Sequence, residues 1–220
     1  MTTLASRLGL PGDRPPRCLL MGAHPDDIEI GAGGTILRLL AETPGARLDW
    51  VILSGEEARA DEAAESARRL VDGRADLRLT LLGGRDGFLP YADAVRTKEA
   101  VLAIVASAAP DLVLVHRRDD AHQDHAFAGA LAWQVCRRAT ILEYEVPKWD
   151  GDLGTANLYV PLEADVVERK VEHLLAAFPS QASRDWFTAD TFRALARIRG
   201  IEAASPSGLA EAFMARKLVI

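Results

Sequence analysis

Two segments of the chain combine histidine with aspartate: AHPDDIEI at residues 23–30 and RDDAHQDHAF at residues 118–127. Imidazole nitrogens and carboxylate oxygens are ligands that zinc accepts, and iron(II) and manganese accept similar donors. A catalytic zinc takes three protein ligands and keeps one position open for water. His24 and Asp27 of the first segment, with one histidine of the second, would supply such a set.

The first segment carries a second carboxylate, Asp26, directly before Asp27. Adjacent residues project in different directions, so one carboxylate can bind an ion while its neighbour reaches the bound water. Because a metal lowers the pKa of that water towards about 7, a nearby base can take its proton. The pattern therefore predicts that Asp27 is a ligand and Asp26 a general base.

Short apolar runs alternate with helical patterns along the chain. The four clearest strand candidates begin at Arg17, Leu48, Leu77 and Asp111, and a helical segment follows each. This alternation predicts an α/β fold with a doubly wound, mostly parallel sheet and helices on both faces, a Rossmann-like three-layer sandwich. Ligands of such sheets bind beyond the carboxyl ends of the strands. Both His/Asp segments follow candidate strands, so we expect them to meet at that edge.

We expect a single domain over residues 1–220, with residues 1–17 as an irregular lead-in that contains three prolines. The glycines of GAGG at residues 31–34 suit a tight loop-to-helix turn or an anion cradle at a helix N-terminus. They form neither a Walker A sequence nor a GxGxxG fingerprint, which argues against a nucleotide-binding protein.

Composition limits the partners of the chain. The net charge of −6 argues against nucleic acid or an anionic membrane surface. No apolar run approaches the roughly 18 residues that span a bilayer, and the N-terminus does not look like a secretion signal. Cys18 and Cys136 have no metal-ligand spacing, so we expect two buried, reduced thiols and a cytoplasmic protein.

AHPDDIEIGAGGT at residues 23–35 resembles the signature of the LmbE-like, or PIG-L-type, zinc-dependent N-deacetylases. DDAHQDHA at residues 119–126 is similar to that family's second metal motif. SGEEARADEAAESA, GGRDGFL, EYEVPKWDGDLGTANLYVPL and ARIRGIEAASPSGLAEAF are similar to further segments found in its members. By motif position, the resemblance implies that His24, Asp27 and His125 are the metal ligands and Asp26 the general base.

The second motif implies two further roles. His122 would be the positively charged group that stabilises the oxyanion or protonates the leaving amine. Asp124 would hold a histidine in the right tautomer and raise its pKa. Some members that deacetylate sugars carry a tyrosine two residues before the catalytic histidine, but here that position is Asp120.

Residues outside the two motifs are candidates for substrate binding. Arg59 and Asp86 fall where family members contact the sugar, although Arg59 with Glu62 could be a simple ion pair and Asp86 a turn former. Trp149 and Asp152 lie in KWDGDLG, which could line a sugar site or form a hairpin turn with a packed tryptophan.

The remaining histidines have plainer interpretations. His116 ends a strand and is expected to support the fold or a neighbouring ligand. His173 lies on an amphipathic helix, where we expect a surface or interface residue far from the loops.

The sequence thus predicts an enzyme that removes the N-acetyl group from a small N-acetyl amino sugar of the GlcNAc type, or from its conjugate. Zn²⁺ is the expected cofactor, with Fe²⁺ or another divalent metal as the alternative. Amide hydrolysis of a non-sugar N-acyl compound at the same site, or metal and sugar binding without turnover, are the other interpretations. The partner is a small molecule, and the C-terminal helices and the family's habit make a homo-oligomer plausible.

Overall fold

The structure of the chain is a computed structural model that describes residues 3–218. Within these residues, seven strands form one sheet: β1 (Arg17–Gly22), β2 (Arg47–Ser54), β3 (Asp76–Gly84), β4 (Leu112–His116), β5 (Thr140–Tyr144), β6 (Leu158–Pro161) and β7 (Ala210–Lys217).

The strand order is β3-β2-β1-β4-β5-β7-β6. Strands β1 to β5 are parallel to one another, and β7 pairs antiparallel with both β5 and β6. The predicted doubly wound, mostly parallel sheet is therefore confirmed. From β1 the chain moves outward to β2 and β3 and then crosses back to β4, so a topological switch point lies between β1 and β4. Ligands of such sheets bind at this crevice.

Eight helices cover the described sheet: α1 (Leu4–Arg7), α2 (Asp27–Glu42), α3 (Glu57–Val71), α4 (Leu89–Ala92), α5 (Ala94–Ala108), α6 (Gln123–Val135), α7 (Ala164–Ala177) and α8 (Ala189–Glu202).

The side chains of β1 alternate between two separate apolar cores. Cys18 and Leu20 enter the core beneath α1, α2, α3, α7 and α8. Leu19 and Met21 enter the core beneath α4, α5 and α6. Because successive side chains of a strand point to opposite faces, a strand covered on both sides must be apolar throughout. This explains why the central strands are continuous apolar runs, and it confirms the three layers.

Two local predictions about the first 40 residues were wrong. The lead-in is not wholly irregular, because α1 places Leu4 and Ala5 in the core. The GAGG glycines do not form a turn, since α2 begins earlier, at Asp27. A Cβ at Gly31 would overlap the ring of Tyr144, and one at Gly34 would overlap Leu162. These glycines let α2 approach its neighbours closely, and tertiary packing outweighs their low helix propensity.

Both cysteines are free and buried, as predicted. Among the helices of residues 3–218, none is long and apolar enough to cross a membrane.

Candidate metal centre and cavity

The first His/Asp segment links the end of β1 to the start of α2. Asp26 is the residue that precedes the helix, and Asp27 is its first residue. The Oδ2 atom of Asp27 accepts a hydrogen bond from the backbone N–H of His24 at 2.6 Å. The unpaired N–H groups at a helix N-terminus favour nearby carboxylates, which helps to keep both aspartates at this buried position.

The second segment links the end of β4 to the start of α6. His122 is the N-cap of α6, and its Nδ1 accepts a hydrogen bond from the backbone N–H of Asp124 at 3.2 Å. Asp124 and His125 lie in the first turn and are buried. The two helices begin on the two sides of the switch point, which brings the segments together although about 100 residues separate them.

The three predicted metal ligands converge on one point. His24 Nδ1 lies 3.1 Å from His125 Nε2 and 3.3 Å from Asp27 Oδ2, and His125 Nε2 lies 3.5 Å from Asp27 Oδ1. Zinc–ligand bonds of about 2.0–2.1 Å in a tetrahedral site put neighbouring ligand atoms about 3.3 Å apart. The spacing and the N, N, O donor set therefore fit a divalent ion of the size of zinc.

Two groupings that share two of these three residues are also close enough to bind an ion. His122 can replace Asp27 in the cluster, and His116 can replace His24. We favour the set with His24, Asp27 and His125 because it includes a carboxylate and because the other two histidines are already engaged. His122 accepts a backbone hydrogen bond, and His116 Nε2 lies 3.0 Å from the N–H of Ala23 and 2.9 Å from Asp27 Oδ2.

Further residues hold the candidate ligands in place. Asp120 Oδ2 lies 3.3 Å from His125 Nδ1, which leaves Nε2 of that ring for an ion. The other oxygen of Asp120 accepts from the backbone N–H of His122 at 2.8 Å and from Lys148 Nζ at 3.0 Å. Although burial opposes it, contact with His125 lowers the pKa of Asp120, so this carboxylate stays ionised.

Asp124 performs a related role beside His24. Its Oδ2 lies 3.4 Å from His24 Nε2, and its two oxygens accept from the backbone N–H groups of Gly87 and Leu89 at 2.7 and 3.1 Å. Burial lowers the pKa of His24, but Asp27 and Asp124 outweigh it and raise that pKa well above its usual value. Asp124 thus connects His24 to the loop that carries Asp86.

The candidate base Asp26 is almost fully buried beside the cluster. Its Oδ1 accepts from Arg59 Nη2 at 2.9 Å, and Arg59 Nη1 lies 3.4 Å from Asp86 Oδ2. Burial and the charge of Asp27 raise the pKa of Asp26 to about 6, while Arg59 opposes that rise. A buried carboxyl with a raised pKa is typical of a group that exchanges protons.

The charge expected on His122 is not supported by its surroundings. Burial and the neighbouring His24 lower its pKa. Its Nδ1 already accepts a hydrogen bond from Asp124 N–H. The neutral ring with its hydrogen on Nε2 therefore fits the geometry, and the positive charge of His122 stays a prediction.

The candidate centre lies at the bottom of a cavity of about 210 Å³. Arg59, Asp86 and Trp149 are part of its lining, and Trp149 is 69% exposed at the mouth; their contact with a substrate stays a prediction. Asp152 is not part of the lining. It accepts from Lys148 Nζ at 2.5 Å and from the backbone N–H of Ala121 at 2.8 Å, so it supports the loops behind the cavity.

Glu62, His116 and His173 have contacts that bear on the roles expected for them. Glu62 is not an ion-pair partner of Arg59, since its oxygens accept from the backbone N–H and the hydroxyl of Ser180 at 2.9 and 2.5 Å. His116 contacts Asp27 and supports that candidate ligand, as expected. His173 is not a simple surface residue, because it is half-buried and its Nε2 lies 2.8 Å from Ser66 Oγ.

Sequence reasoning missed several residues of the cavity. Lys148 lies next to Trp149 in the chain, so its position was open to inference. Gln181, Arg184 and Trp186 follow the predicted α7, in a segment that carries no motif. No local signal in the sequence shows that this segment folds over the mouth of the cavity.

A doubly wound α/β fold with a His/Asp cluster at its switch point defines a class of candidate metal-dependent enzymes, and comparison with known proteins narrows that class. Residues 19–136, just over half of the chain, match the PIG-L family, described as GlcNAc-PI de-N-acetylase. The chain belongs to this family.

Individual relatives agree with the family assignment. The chain is 29% identical over 138 residues to YaiS, an uncharacterized deacetylase of Escherichia coli K12; the match covers 59% of this chain and 73% of YaiS. Its fold is similar to N,N'-diacetylchitobiose deacetylase from Pyrococcus horikoshii, with a TM-score of 0.68, 23% identity, and coverage of 96% and 88% of the two chains.

The fold is also similar to GalB, the 4-carboxy-2-hydroxymuconate hydratase of Pseudomonas putida KT2440. The TM-score is 0.72 at 19% identity, with 92% of this chain and 97% of GalB covered. The same fold therefore carries different reactions, and the reaction depends on the residues of the site.

Proposed function

We propose that the chain is a zinc-dependent hydrolase that removes the N-acetyl group from a small N-acetyl amino sugar of the GlcNAc type or from its conjugate. The convergence of His24, Asp27 and His125 at 3.1–3.5 Å, with Asp26 beside them in one cavity, carries this proposal. The family of the chain supports the reaction, and the cavity of about 210 Å³ has room for a small substrate group.

The three ligand side chains would hold the ion, and a bound zinc would supply a water of lowered pKa and polarise the acetamide carbonyl. Asp26 is placed to take the proton of the attacking water. Arg59 engages only Oδ1 of this carboxylate, and within residues 3–218 no hydrogen bond reaches Oδ2. Arg59 thus orients the base while one oxygen stays available for the proton.

His122 would stabilise the charge that develops on the carbonyl oxygen. Because its Nδ1 is held by the backbone N–H of Asp124, the neutral ring presents an Nε2–H group as a donor. Protonating the leaving amine would then be the task of Asp26, which holds the proton taken from water, a step that leaves acetate and the free amine.

On the substrate side, Asp86 would accept hydrogen bonds from sugar hydroxyls, and the exposed ring of Trp149 would stack on a sugar face. Asp86 is half-exposed and also contacts Arg59 and His24, at 3.4 and 3.1 Å, which fixes its position between the base and the cavity. Its contact with His24 lowers the pKa of Asp86, so the carboxylate is ionised and can accept.

Acetate release tests the proposal directly. The panel consists of N-acetylglucosamine, its α- and β-methyl glycosides, and a non-sugar N-acetyl amine, each run on enzyme loaded with zinc, on chelated enzyme, and after zinc or iron(II) is returned. We expect turnover of the sugars that disappears with the chelator and returns with metal. Turnover of the non-sugar amide alone would contradict the sugar assignment.

Metal content measured on the same samples separates a binder from an enzyme. One ion per chain without acetate from any substrate would contradict the proposed hydrolase and favour a metal-binding homologue. We also propose a cytoplasmic location, which the two buried free thiols support.

A further inference from the structure

The glycine-rich middle of α2 has a buried ion pair packed against it. Lys170 of α7 and Glu211 of β7 are both buried, and Lys170 Nζ lies 2.6 Å from Glu211 Oε1. Both side chains also form hydrogen bonds to the backbone of α2. Lys170 Nζ donates to Ile30 O at 2.6 Å, and Glu211 accepts from the N–H groups of Gly34 and Thr35 at 2.8 and 2.7 Å.

The glycines of α2 give these two side chains room to reach the helix backbone. A Cβ at Gly34 would lie 3.1 Å from Glu211 Oε1, and one at Gly33 would lie 3.4 Å from Lys170 Cγ. Glycine has a low helix propensity, whereas hydrogen bonds in which one partner is charged are stronger than neutral ones. The ion pair therefore supports a part of the helix that is weak by itself.

These contacts lie one helical turn from the candidate base and its neighbouring ligand. Ile30, whose C=O accepts from Lys170, donates its own N–H to Asp26 O at 3.0 Å. Asp26 precedes α2, and Asp27 is its first residue. Neither Lys170 nor Glu211 is in the cavity lining, so their effect on the site passes through the helix. A misplacement of about 1 Å can lower turnover by about 10²-fold, so the position of this helix end matters.

We propose that Lys170 and Glu211 are positioning residues that fix the first turn of α2 and thereby the directions of the Asp26 and Asp27 carboxylates. This inference rests on the proposed hydrolase and adds two residues outside the cavity to its machinery. It also gives the GAGG run at residues 31–34 a function, because the missing side chains admit the ion pair to the helix backbone.

The test separates a positioning role of the ion pair from a role in stability alone. Glu211→Gln keeps the shape of the side chain but leaves Lys170 buried without a counter-charge, so the melting temperature should fall. The double variant Lys170→Met/Glu211→Leu has neither charge and fills the space with apolar groups, so most of the melting temperature should return. Its kcat should stay about 10- to 100-fold below that of the unaltered zinc-loaded enzyme, with KM within about threefold, because α2 has lost these bonds.

A spectrum of the metal site gives a second measurement that needs no turnover. Visible absorption of the cobalt(II)-loaded enzyme reports the arrangement of the ligands, and we expect it to change in the double variant because Asp27 is displaced. Val101→Ala, a core substitution on α5 beneath the other face of the sheet, is the control. It should lower the melting temperature and leave both kcat and the cobalt spectrum unchanged.

Two outcomes would overturn this inference while the hydrolase stands. One is recovery of kcat together with the melting temperature in the double variant, and the other is an unchanged cobalt spectrum in that variant. Either would show that the ion pair only stabilises the fold. Absence of acetate from every substrate with the unaltered enzyme would overturn the proposed hydrolase, and the cobalt spectra would still decide whether the pair positions Asp27.

Discussion

The two ends of the cavity are built in opposite ways. At the bottom, His24, Asp27 and His125 are buried, and backbone groups or other side chains hold each of them. At the mouth, Trp149 and Arg184 are exposed, and the guanidinium carbon of Arg184 lies 5.7 Å from the centre of the Trp149 ring. The bottom therefore has one fixed arrangement, and the mouth keeps its polar and apolar surface available.

This difference separates chemistry from substrate choice. A general base and metal ligands have to be held within a fraction of an ångström, which requires neighbours that restrict every rotamer. A site that recognises the rest of the substrate needs unpaired charge and free ring surface, because groups already paired within the protein have little left to offer a ligand. Changes at the bottom should therefore abolish turnover, and changes at the mouth should alter which substrate is used.

The largest effect is expected from removal of a candidate ligand. His125→Ala should lose the bound ion and lower turnover by about 10³-fold or more, since the water would lose both its activation and its position. Metal content per chain and acetate release measure this. His173→Gln, a histidine on α7 outside the cavity lining, is the control and should keep both. Full metal content in His125→Ala would show that another grouping binds the ion.

The next effect separates the base from the ligands. Asp26→Asn keeps an oxygen that can accept from Arg59 but cannot take a proton, so kcat should fall by about 10²- to 10⁴-fold with one ion still bound. Metal analysis measures whether the ion stays bound, and single-turnover kinetics measure the loss of kcat. Activity within tenfold of the unaltered enzyme, at full metal content, would exclude Asp26 as the base.

The same contrast explains what the sequence could predict. His24, Asp27 and His125 follow strands of an alternating α/β pattern, so topology alone brings them to one edge, and their types limit their chemistry. The beginning of α2 was misplaced because Gly31 has low helix propensity in any local window. Its close packing against Tyr144, 113 positions along the chain, becomes visible only in the fold.

The features of the site that the sequence did not predict depend on contacts between distant segments. The sequence does not show which aspartate lies beside which histidine, because this depends on side-chain directions. In the structure, Asp120 contacts His125 and Asp124 contacts His24. The hydrogen bond between Glu62 and Ser180 joins residues 118 positions apart, and no periodic pattern in the sequence predicts it. Convergence that follows from the α/β topology was therefore predictable, whereas contacts between individual side chains of distant segments were not.

A smaller effect tests how the bottom is held. Asp120→Asn should weaken metal binding by about 10- to 100-fold, because an uncharged amide holds His125 Nδ1 less firmly and leaves Lys148 with one carboxylate fewer. Competition with a chelator of known affinity measures the change. The neighbouring Asp119→Asn is the matched control, since Asp119 is 61% exposed and pairs with Arg216. Equal metal affinity in the two variants would mean that Asp120 does not position the ligand.

The smallest effect should appear at the mouth. In Glu62→Ala the turn that carries Arg184 loses both bonds at Ser180, so the guanidinium has to be ordered when the substrate binds. We expect KM for the methyl glycosides of N-acetylglucosamine to rise by about 2- to 10-fold and kcat and metal content to stay nearly constant. Glu65→Ala, at an exposed position on the same helix, should leave all three unchanged. A fall in kcat or in metal content would show that Glu62 acts on the bottom of the cavity, where its helix also carries Arg59, and would remove the separation between the two ends.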